Sequence, residues 1–291
     1  MNTNSNAYTV IYTTLVVVVV AAVLAFTAMK LKPSQEANAK AETLRQMMSA
    51  AQIKPTDELY ATNNAGILQL YAENIDKAYT IGLDGQENGT LSTDKASIEL
   101  VDNLKPQNKA IKAGGEATLP VYVFKNGYTV IPVYGAGLWG PVWGYIAFQP
   151  DCKTIAGAYF DHESETAGLG AKIKDDPAFQ AEFVGEQPDF SQANVFEIVK
   201  GGAPADPEGK SLVDNKIDAI TGATMTSQGL DAAIDTWLGA YAKFFQGAAP
   251  APKQHCGKHQ HEGNHEGCEG DHEGCEGDHE NCEHHHQAEE E

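Results

Sequence analysis

Residues 118–148 read TLPVYVFKNGYTVIPVYGAGLWGPVWGYIAF, in which apolar runs alternate with glycine-containing turns. The runs Thr118–Lys125 and Tyr128–Tyr134 are rich in β-branched and aromatic residues, and they flank Asn126-Gly127. Asn-Gly between two such runs is the strongest short signal for a β-hairpin. Two further strands are predicted, Val142–Phe148 and Thr154–Phe160. The sequence therefore predicts a cluster of β-strands in the middle of the chain.

Helical patterns follow this β-rich region. Leu230–Phe245 is the clearest helix, because its apolar side chains recur at spacings of three and four and form one stripe. A second helix is predicted at Pro177–Val184, and a further strand at Asn194–Val199. Strands that cluster centrally and a helix that closes the domain favour an α+β fold for residues 55–248.

Length and charge limit the classes of protein to consider. The 291 residues suffice for one large domain or two small ones. The chain has 20 Lys and Arg against 40 Asp and Glu, a net charge of −20. Because this charge repels phosphate backbones, we expect no nucleic-acid partner.

The N-terminal segment Thr9–Met29 has 21 residues and no charge. A helix of that length spans about 31 Å, close to the ~30 Å hydrocarbon core of a bilayer. We expect a retained transmembrane helix at 9–29 after a short stub at 1–8. A cleaved signal peptide is the alternative, although its apolar region is typically only about 7–15 residues.

Residues 30–54 predict a juxtamembrane helix that stops at Lys54-Pro55. The basic residues follow the apolar segment and none precedes it, so the positive-inside rule would place the domain in the cytoplasm. That rule weakens for long translocated domains, and charge alone leaves the orientation open.

Two glycine motifs lie beyond the hairpin. Gly135–Gly140 matches GxGxxG, but a strand pattern follows it instead of the helix that a dinucleotide site requires, so we expect no such site. Glu165–Gly170 reads ETAGLG. Its glycines predict a tight turn or, alternatively, a close backbone approach to a flat or phosphorylated ligand.

The segment Asp218–Ser227 reads DAITGATMTS and immediately precedes the last helix. One hydroxyl suffices to cap a helix N-terminus. This segment supplies four, on Thr221, Thr224, Thr226 and Ser227. Because a helix N-terminus also favours an anion, the segment indicates either a cap or a phosphate site.

These residues resemble the flavinylation motif of bacterial FMN-binding domains. In that family the last Thr of a Ser-Gly-Ala-Thr core carries FMN through a phosphodiester bond. The corresponding core here is Thr221-Gly222-Ala223-Thr224, which implies covalent FMN on Thr224. Gly137–Gly144 and Glu165–Gly170 resemble two further segments of the family, with Ala167 where the family has Pro. The implied flavin contacts are Thr166, Gly168, Leu169 and Gly170, then Leu138 and Trp139.

With its apolar N-terminal segment, the chain from residue 9 to about 246 resembles the family of C subunits of Na⁺-translocating NADH:quinone reductases. The G subunits of Rnf-type ferredoxin:NAD reductases share all three motifs, but the long segment between residues 54 and 118 favours the C-subunit family. A free-standing flavinylated electron carrier is a further alternative.

The resemblance implies a flavin electron-relay subunit of an ion-pumping translocase that delivers electrons to a quinone such as ubiquinone, without the NADH site itself. It implies the other membrane subunits and an FAD-using flavin transferase as partners. It also implies a single-pass protein of the bacterial inner membrane whose flavin domain is periplasmic.

Residues 249–291 form a linker and a tail that we expect to be disordered. From residue 253 onward this region holds 12 acids, two lysines, nine of the ten His and four of the five Cys, so the body lacks the ligands of a Cys/His zinc enzyme. Three seven-residue units repeat His-Glu-x-Cys. The candidate ligands are His265, Cys268, His272, Cys275, His279 and Cys282.

Imidazole and thiolate bind Zn²⁺, Ni²⁺ and copper. A membrane-anchored metal-binding protein is therefore the alternative function of another class. In an oxidising compartment the tail thiols could instead pair as disulfides.

Overall fold

A computed structural model of the chain describes residues 6–54, 63–101, 103–202 and 214–248. The linker and tail at 249–291, with all six candidate metal ligands, lie outside the described residues.

The two helical segments predicted at 9–29 and 30–54 form one helix, α1, Asn6–Ala50, which continues through Pro33. It ends four residues before the predicted stop at Lys54-Pro55, where Gln52 adopts a φ of 57°.

The N-terminal half of α1 exposes its apolar side chains. Among the described helices, α1 alone is long and apolar enough to cross a membrane by length and composition, with a mean hydropathy of 2.6. The hydroxyls of Thr13 and Thr27 donate to carbonyl oxygens one turn earlier, each at 2.8 Å. These hydroxyls are thus satisfied within the helix, as a hydrocarbon environment demands.

Several short elements precede the predicted hairpin, and the sequence predicts none of them. They are α2 (Asn64–Asn74), β1 (Ile75–Ile81), β2 (Glu87–Leu91) and α3 (Leu104–Ala113). The four predicted central strands follow as β3 (Leu119–Phe124), β4 (Thr129–Ala136), β5 (Pro141–Phe148) and β6 (Ile155–His162). The remaining elements are α4 (Lys172–Asp175), α5 (Pro177–Ala181), β7 (Glu197–Val199), β8 (Lys216–Asp218) and α6 (Thr224–Ala248).

Strands β1 to β6 form one antiparallel sheet in the order β2-β1-β3-β4-β5-β6, whereas β7 and β8 form a separate parallel pair. Asn126-Gly127 makes the turn between β3 and β4, with Gly127 at a φ of 85° that favours glycine. The predicted hairpin and the α+β class are confirmed. The predicted helix at Pro177–Val184 is shorter, since α5 ends at Ala181.

The GxGxxG match covers the last two residues of β4 and the tight loop that follows. Strands β4 and β5 are paired along their whole length, from Thr129↔Phe148 to Ala136↔Pro141. The Gly137 N–H donates to the Gly140 carbonyl oxygen at 2.8 Å and closes the loop. This segment is therefore a hairpin connection, not the strand-to-helix turn of a dinucleotide site.

The sheet is covered on both faces, which explains the nearly continuous apolar runs of its central strands. Successive residues along β3 and β5 enter opposite cores: Val121 and Ile146 pack towards α6, whereas Tyr122 and Ala147 pack towards the end of α1. The fold thus has three layers, with α1 and α2 on one face and α3 and α6 on the other.

Helix α6 is anchored across the sheet by two buried aromatic residues. Trp237 Nε1 donates to the Tyr134 carbonyl oxygen at 2.8 Å, and the Tyr241 hydroxyl donates to the Pro120 carbonyl oxygen at 2.6 Å. These bonds fix the position of the α6 N-terminus relative to β4.

The buried end of α1 lies along β5 and β6 in a defined direction. Asn126 Nδ2 donates to the Ala51 carbonyl oxygen at 3.1 Å, at the end of the sheet that holds the β3–β4 turn. Gln46 lies near the opposite end, where its amide donates to Asp161 Oδ2 at 2.8 Å and accepts from Trp143 Nε1 at 3.2 Å. The helix therefore extends beyond the end of the sheet that Gln46 contacts, and its apolar half lies past that end.

Candidate functional site

The three segments singled out in the sequence meet at one end of the sheet. They are the β4–β5 loop (137–140), the loop after β6 (163–171) and the turn before α6 (219–223). This is the end towards which the apolar half of α1 extends, because Trp143 and Asp161, the α1 contacts there, adjoin the first two loops.

Glu165 links the loop after β6, to which it belongs, with the β4–β5 loop and with the first turn of α6, which directly follows the third segment. Its Oε1 accepts from the Trp139 backbone N–H at 2.9 Å, and its Oε2 accepts from the Thr226 hydroxyl at 2.7 Å. Its own N–H donates to His162 Nδ1 at 3.1 Å. The side chain is buried, and no Lys or Arg in the described residues forms an ion pair with it. Hydrogen bonds to a charged group contribute about 1.5–3 kcal/mol each, so this carboxylate holds the loops together.

Two of the motif glycines make room for this carboxylate. A Cβ at Gly170 would lie 2.5 Å from both Glu165 Oε2 and Thr226 Oγ1. A Cβ at Gly137 would also collide with Glu165 Oε1. The glycines of two separate motifs are thus required by one side chain.

The four hydroxyls of Asp218–Ser227 differ in what they contact. Thr226 and Ser227 are buried and engaged: Thr226 donates to Glu165, and Ser227 Oγ accepts from the Ile220 N–H at 3.1 Å. Thr221 is exposed and Thr224 is half-buried, and neither hydroxyl bonds to a described residue. Two of the four hydroxyls thus remain for a ligand.

Thr224 is the first residue of α6, directly after a sharp turn. The turn is closed by a 3.0 Å bond from the Ala223 N–H to the Ile220 carbonyl oxygen, and Gly222 has a φ of 83°. A Cβ on Gly222 would lie 3.2 Å from Leu169 Cδ2, so the loop after β6 contacts this turn.

Exposed apolar side chains concentrate at the end of the sheet where the three segments meet. Outside α1, the described residues have five large exposed apolar side chains, and four of them belong to the three segments or to the first turn of α6. These four are Leu138, Trp139, Leu169 and Met225. Trp139, one of the implied flavin contacts, is 66% exposed. Such a concentration of apolar surface indicates a site that another molecule covers.

Some of the other residues predicted to contact the flavin are exposed, and others are buried. Thr166 and Gly168 are exposed on the loop after β6, with Gly168 at a φ of 74°. Gly170 and Ala223 are buried and support the backbone, whereas Gly222 is exposed. The structure brings the residues of all three motifs to one end of the sheet.

An acidic groove of about 480 Å³ borders Thr224 on its β7 side. It is lined by Glu197, Asp231 and Asp235, with Lys200 as its one basic residue. Burial and the neighbouring Asp235 and Glu197 carboxylates raise the pKa of Asp231. This groove is unfavourable for a phosphate, whereas the apolar side chains on the other segments suit a flat aromatic ring.

The described residues contain no group of three or more His, Cys, Asp or Glu side chains placed to hold a metal ion. The one His of the body, His162, accepts a structural bond from Glu165. The proposed tail ligands, from His265 to Cys282, lie beyond residue 248 and outside the described structure.

Sequence reasoning missed the role of Glu165 and of Thr226. Glu165 begins the ETAGLG motif, but the sequence does not show that its partner lies 61 residues away. One signal was available: an acidic residue directly before a glycine-rich turn.

The residues at this end of the sheet fit a covalently attached flavin. Thr224 supplies an uncommitted hydroxyl for a phosphoester, and Leu138, Trp139, Leu169 and Met225 supply apolar surface for an isoalloxazine ring. The bond network of Glu165 holds the three segments in place.

Comparisons with known proteins agree with this geometry. The family described as FMN-binding domain matches residues 137–239, which include all three segments. The chain is 30% identical over 229 residues to the C subunit of the Na⁺-translocating NADH-quinone reductase of Vibrio parahaemolyticus, covering 73% of this chain and 82% of that relative. The corresponding C subunit of Pasteurella multocida is 30% identical over 231 residues, which cover 75% and 84% of the two chains.

A solved structure shows a similar fold. The crystal structure of the C subunit of the Na⁺-translocating NADH-quinone reductase from Parabacteroides distasonis superposes with a TM-score of 0.56 at 27% identity. The match covers 74% of this chain and 96% of that structure.

Proposed function

Because this chain belongs to the family of C subunits of Na⁺-translocating NADH-quinone reductases, we propose that it relays electrons through an FMN attached to Thr224 by a phosphodiester. Its place would be within a membrane-bound reductase that transfers electrons from NADH to a quinone and exports Na⁺. The relatives named above are C subunits, which favours this function over that of an Rnf-type G subunit.

One observation carries the assignment to Thr224. Of the four hydroxyls before α6, those of Thr226 and Ser227 are buried and bonded, and Thr221 lies on the far side of the Gly222 turn. Thr224 alone combines an uncommitted hydroxyl with a position on the first turn of α6, next to the exposed Met225.

The residues around Thr224 would hold and orient the flavin. FMN supplies the redox chemistry when it is attached, and the protein supplies position and environment. The side chains of Leu169 and Met225 offer apolar contact beside Thr224, and Leu138 and Trp139 extend it. Thr166 and Gly168 line the exposed side of the loop after β6, where polar edges of a flavin could bond.

Glu165 explains why attachment would be covalent. A helix N-terminus stabilises an anion by about 0.3–1 kcal/mol, whereas micromolar retention requires about 8 kcal/mol. Here the Glu165 carboxylate already bonds to Thr226 in the first turn of α6, so a phosphate would meet a nearby negative charge. Electrostatics therefore cannot retain the flavin, and a covalent bond removes that requirement.

Attachment would require a separate flavin transferase with FAD as donor. The Thr224 oxygen would form a bond to the FMN phosphorus, the pyrophosphate bond of FAD would break, and AMP would leave. The hydroxyl proton would pass to solvent or to a base of the transferase.

The test is flavin fluorescence on a denaturing gel after coexpression with a flavin transferase. The native chain is expected to fluoresce, and Thr224→Ala is expected to abolish the signal. Thr221→Ala is the control and is expected to keep much of it. Thr226→Ala is also expected to keep much of it, because it removes only one of the two bonds that the Glu165 carboxylate accepts and leaves the one from Trp139. Equal fluorescence from Thr224→Ala and the native chain would overturn the assignment.

We further propose that the domain faces the periplasm of a bacterial cell, anchored in the inner membrane by α1, with the other membrane subunits as partners. The length of the body supports this orientation, because the charge rule weakens for long translocated domains. In the same proposal, residues 55–248 form the flavin domain, onto whose sheet the buried end of α1 packs, and residues 249–291 form the linker and tail.

The tail suggests a second activity, independent of the flavin. The repeat of His-Glu-x-Cys every seven residues is the specific observation that favours metal binding. Each unit supplies two ligands, and zinc takes four, so two units are needed for one site. The candidate ligands are His265, Cys268, His272, Cys275, His279 and Cys282, of which the four from any two units would hold one ion.

Isothermal calorimetry on the reduced full chain tests this proposal, with a chain ending at Pro252 as the control. Binding of zinc, nickel or copper tighter than about 10 µM, about 7 kcal/mol, is expected only with the tail present. Identical titrations of the two chains would contradict it.

A further inference from the structure

A broad groove lies between α3 and the β4–β5 loop. It encloses about 1070 Å³ and is open to solvent along one side. Helix α3 is held in place by Asn108, whose Oδ1 accepts from Trp237 Nε1 at 3.2 Å. The groove is therefore bounded by two elements that α6 fixes relative to each other.

The charge of this groove is opposite to that of the chain. Lys105, Lys109 and Lys112 recur at spacings of four and three and line it together. None of the three forms an ion pair with a described residue. Helix α3 contains no acid, and no acid among the described residues lines the groove itself. Glu163 lies beside Gly140 at its edge, and the whole chain has a net charge of −20.

The loop side of the groove is apolar. Trp139 and Leu138 are 66% and 48% exposed and lie opposite the lysines. Tyr134 lines the inner wall, where burial and the Glu163 carboxylate raise the pKa of its phenol, so it stays neutral. An exposed aromatic residue beside a polar rim is typical of a protein interface, and the positive charge of this rim would favour an acidic partner.

We propose that this face, formed by Lys105, Lys109, Lys112, Leu138 and Trp139, docks an acidic surface of the protein that exchanges electrons with the flavin. The proposal rests on the proposed function, since Leu138 and Trp139 extend the apolar surface near Thr224. Complementary charge would bring the partner to the flavin side of the molecule and speed the encounter.

An anionic bilayer fits these observations less well. Asn38 is the first α1 residue bonded to the body, at 2.5 Å from Asn64, and it follows the apolar segment by nine residues. Nine helical residues span about 14 Å. Surface charges are screened over about 8 Å at physiological salt, so the bilayer charge acts weakly on the body.

Carbodiimide crosslinking of the purified reductase complex tests the partner directly, because the reagent joins a lysine only to a carboxylate in contact with it. Peptide mass spectrometry is expected to find Lys105, Lys109 or Lys112 joined to Asp or Glu of another subunit. Lys77, Lys153 and Lys243, on other parts of the body, serve as controls. Crosslinks spread equally over the six lysines, or confined to a second copy or to this chain's own tail, would overturn the proposal.

Charge reversal tests whether the three lysines speed the encounter with the partner. In the complex, K105E/K109E/K112E is expected to slow flavin reduction at low salt by about tenfold or more, with a much smaller effect at high salt. The control K77E/K153E/K243E is expected to stay near the native rate. Equal rates for the two variants, or slowing that follows the anionic lipid content of the membrane, would contradict docking of a protein.

Gel fluorescence of the same samples distinguishes a failure of the docking proposal from a failure of the proposed covalent flavin. Native covalent flavin in K105E/K109E/K112E, together with the slow rate, supports the docking surface. A variant that has lost its covalent flavin would place these lysines in attachment instead, and would overturn docking as their role. Absence of covalent flavin from the native chain would be a failure of the proposed function.

Discussion

Glu165 is the residue on which the geometry of the candidate site depends. Its carboxylate accepts one bond from the β4–β5 loop and one from α6, and its main chain belongs to the loop after β6. Removing the side chain would leave the buried Thr226 hydroxyl without an acceptor, at a cost of about 1–3 kcal/mol.

We expect Glu165→Ala to lower the thermal unfolding temperature of the detergent-solubilised chain and to reduce covalent flavin on a denaturing gel. Glu165→Gln should retain more of both, since its amide keeps the shape of the carboxylate and its carbonyl can still accept a bond. Glu163→Ala, at an acid two residues earlier, is the matched control. If Glu165→Ala behaves like this control, Glu165 does not hold the segments together.

The site residues show how far sequence reasoning reaches at this scale. The resemblance named the hydroxyl segment and both glycine loops, because each is a continuous motif. It did not identify Thr226 as a structural residue, since its hydroxyl is buried only through a partner 61 residues away. A single sequence carries no signal for such a pair.

Among the elements, α1 has two roles within one helix. Its first half is apolar and exposed, whereas Leu44, Met47 and Met48 near its end are almost completely buried beneath the sheet. Burying three such side chains contributes about 5–9 kcal/mol, which is comparable to the whole stability of a domain. The helix that carries the apolar N-terminal segment is therefore also part of the core.

This division predicts how the chain can be shortened. A chain beginning at Ser34 should be soluble and unfold cooperatively, because it keeps the buried end of α1. A chain beginning at Pro55 should aggregate or lose its tertiary circular dichroism, because one face of the sheet becomes exposed. Cooperative unfolding of both chains at the same temperature would contradict the role of α1 in the core.

The elements that the sequence predicted are those with long apolar runs. Strands β3 to β6 are buried on both faces, so their composition alone identifies them. Strand β2 reads ENGTL and lies at the sheet edge, so it carries no apolar pattern. Helix α3 has a narrow apolar face, but it is short and contains Pro106 and three lysines, so its sequence does not stand out as a core helix. The start of α6 was placed six residues late, because Thr, Ser and Gly favour helices weakly.

At the scale of the whole molecule, the candidate flavin segments lie at the sheet end that faces the apolar half of α1. Gln46, which contacts this end, follows Met29 by 17 residues, or about 26 Å along the helix. The site therefore lies on the side of the domain from which the apolar half of α1 extends, a position suited to exchange with the other subunits of the reductase.

Orientation across the membrane is testable with reporters fused after Lys253. A reporter active only after export should be active at this position, and one active only in the cytoplasm should be inactive, since we propose a periplasmic domain. A fusion before Asn6 is the internal control and should give the opposite pattern. Cytoplasmic activity at Lys253 would instead show that the basic residues after the apolar segment determine the orientation.

The central claim is that Thr224 carries FMN, and peptide mass spectrometry tests it most directly. Trypsin releases Ile217–Lys243, which contains Thr221, Thr224, Thr226 and Ser227. From the native chain coexpressed with a flavin transferase, this peptide should be heavier by FMN less one water, with fragmentation placing the addition on Thr224. An unmodified peptide, or an addition on Thr221, Thr226 or Ser227, would contradict the assignment.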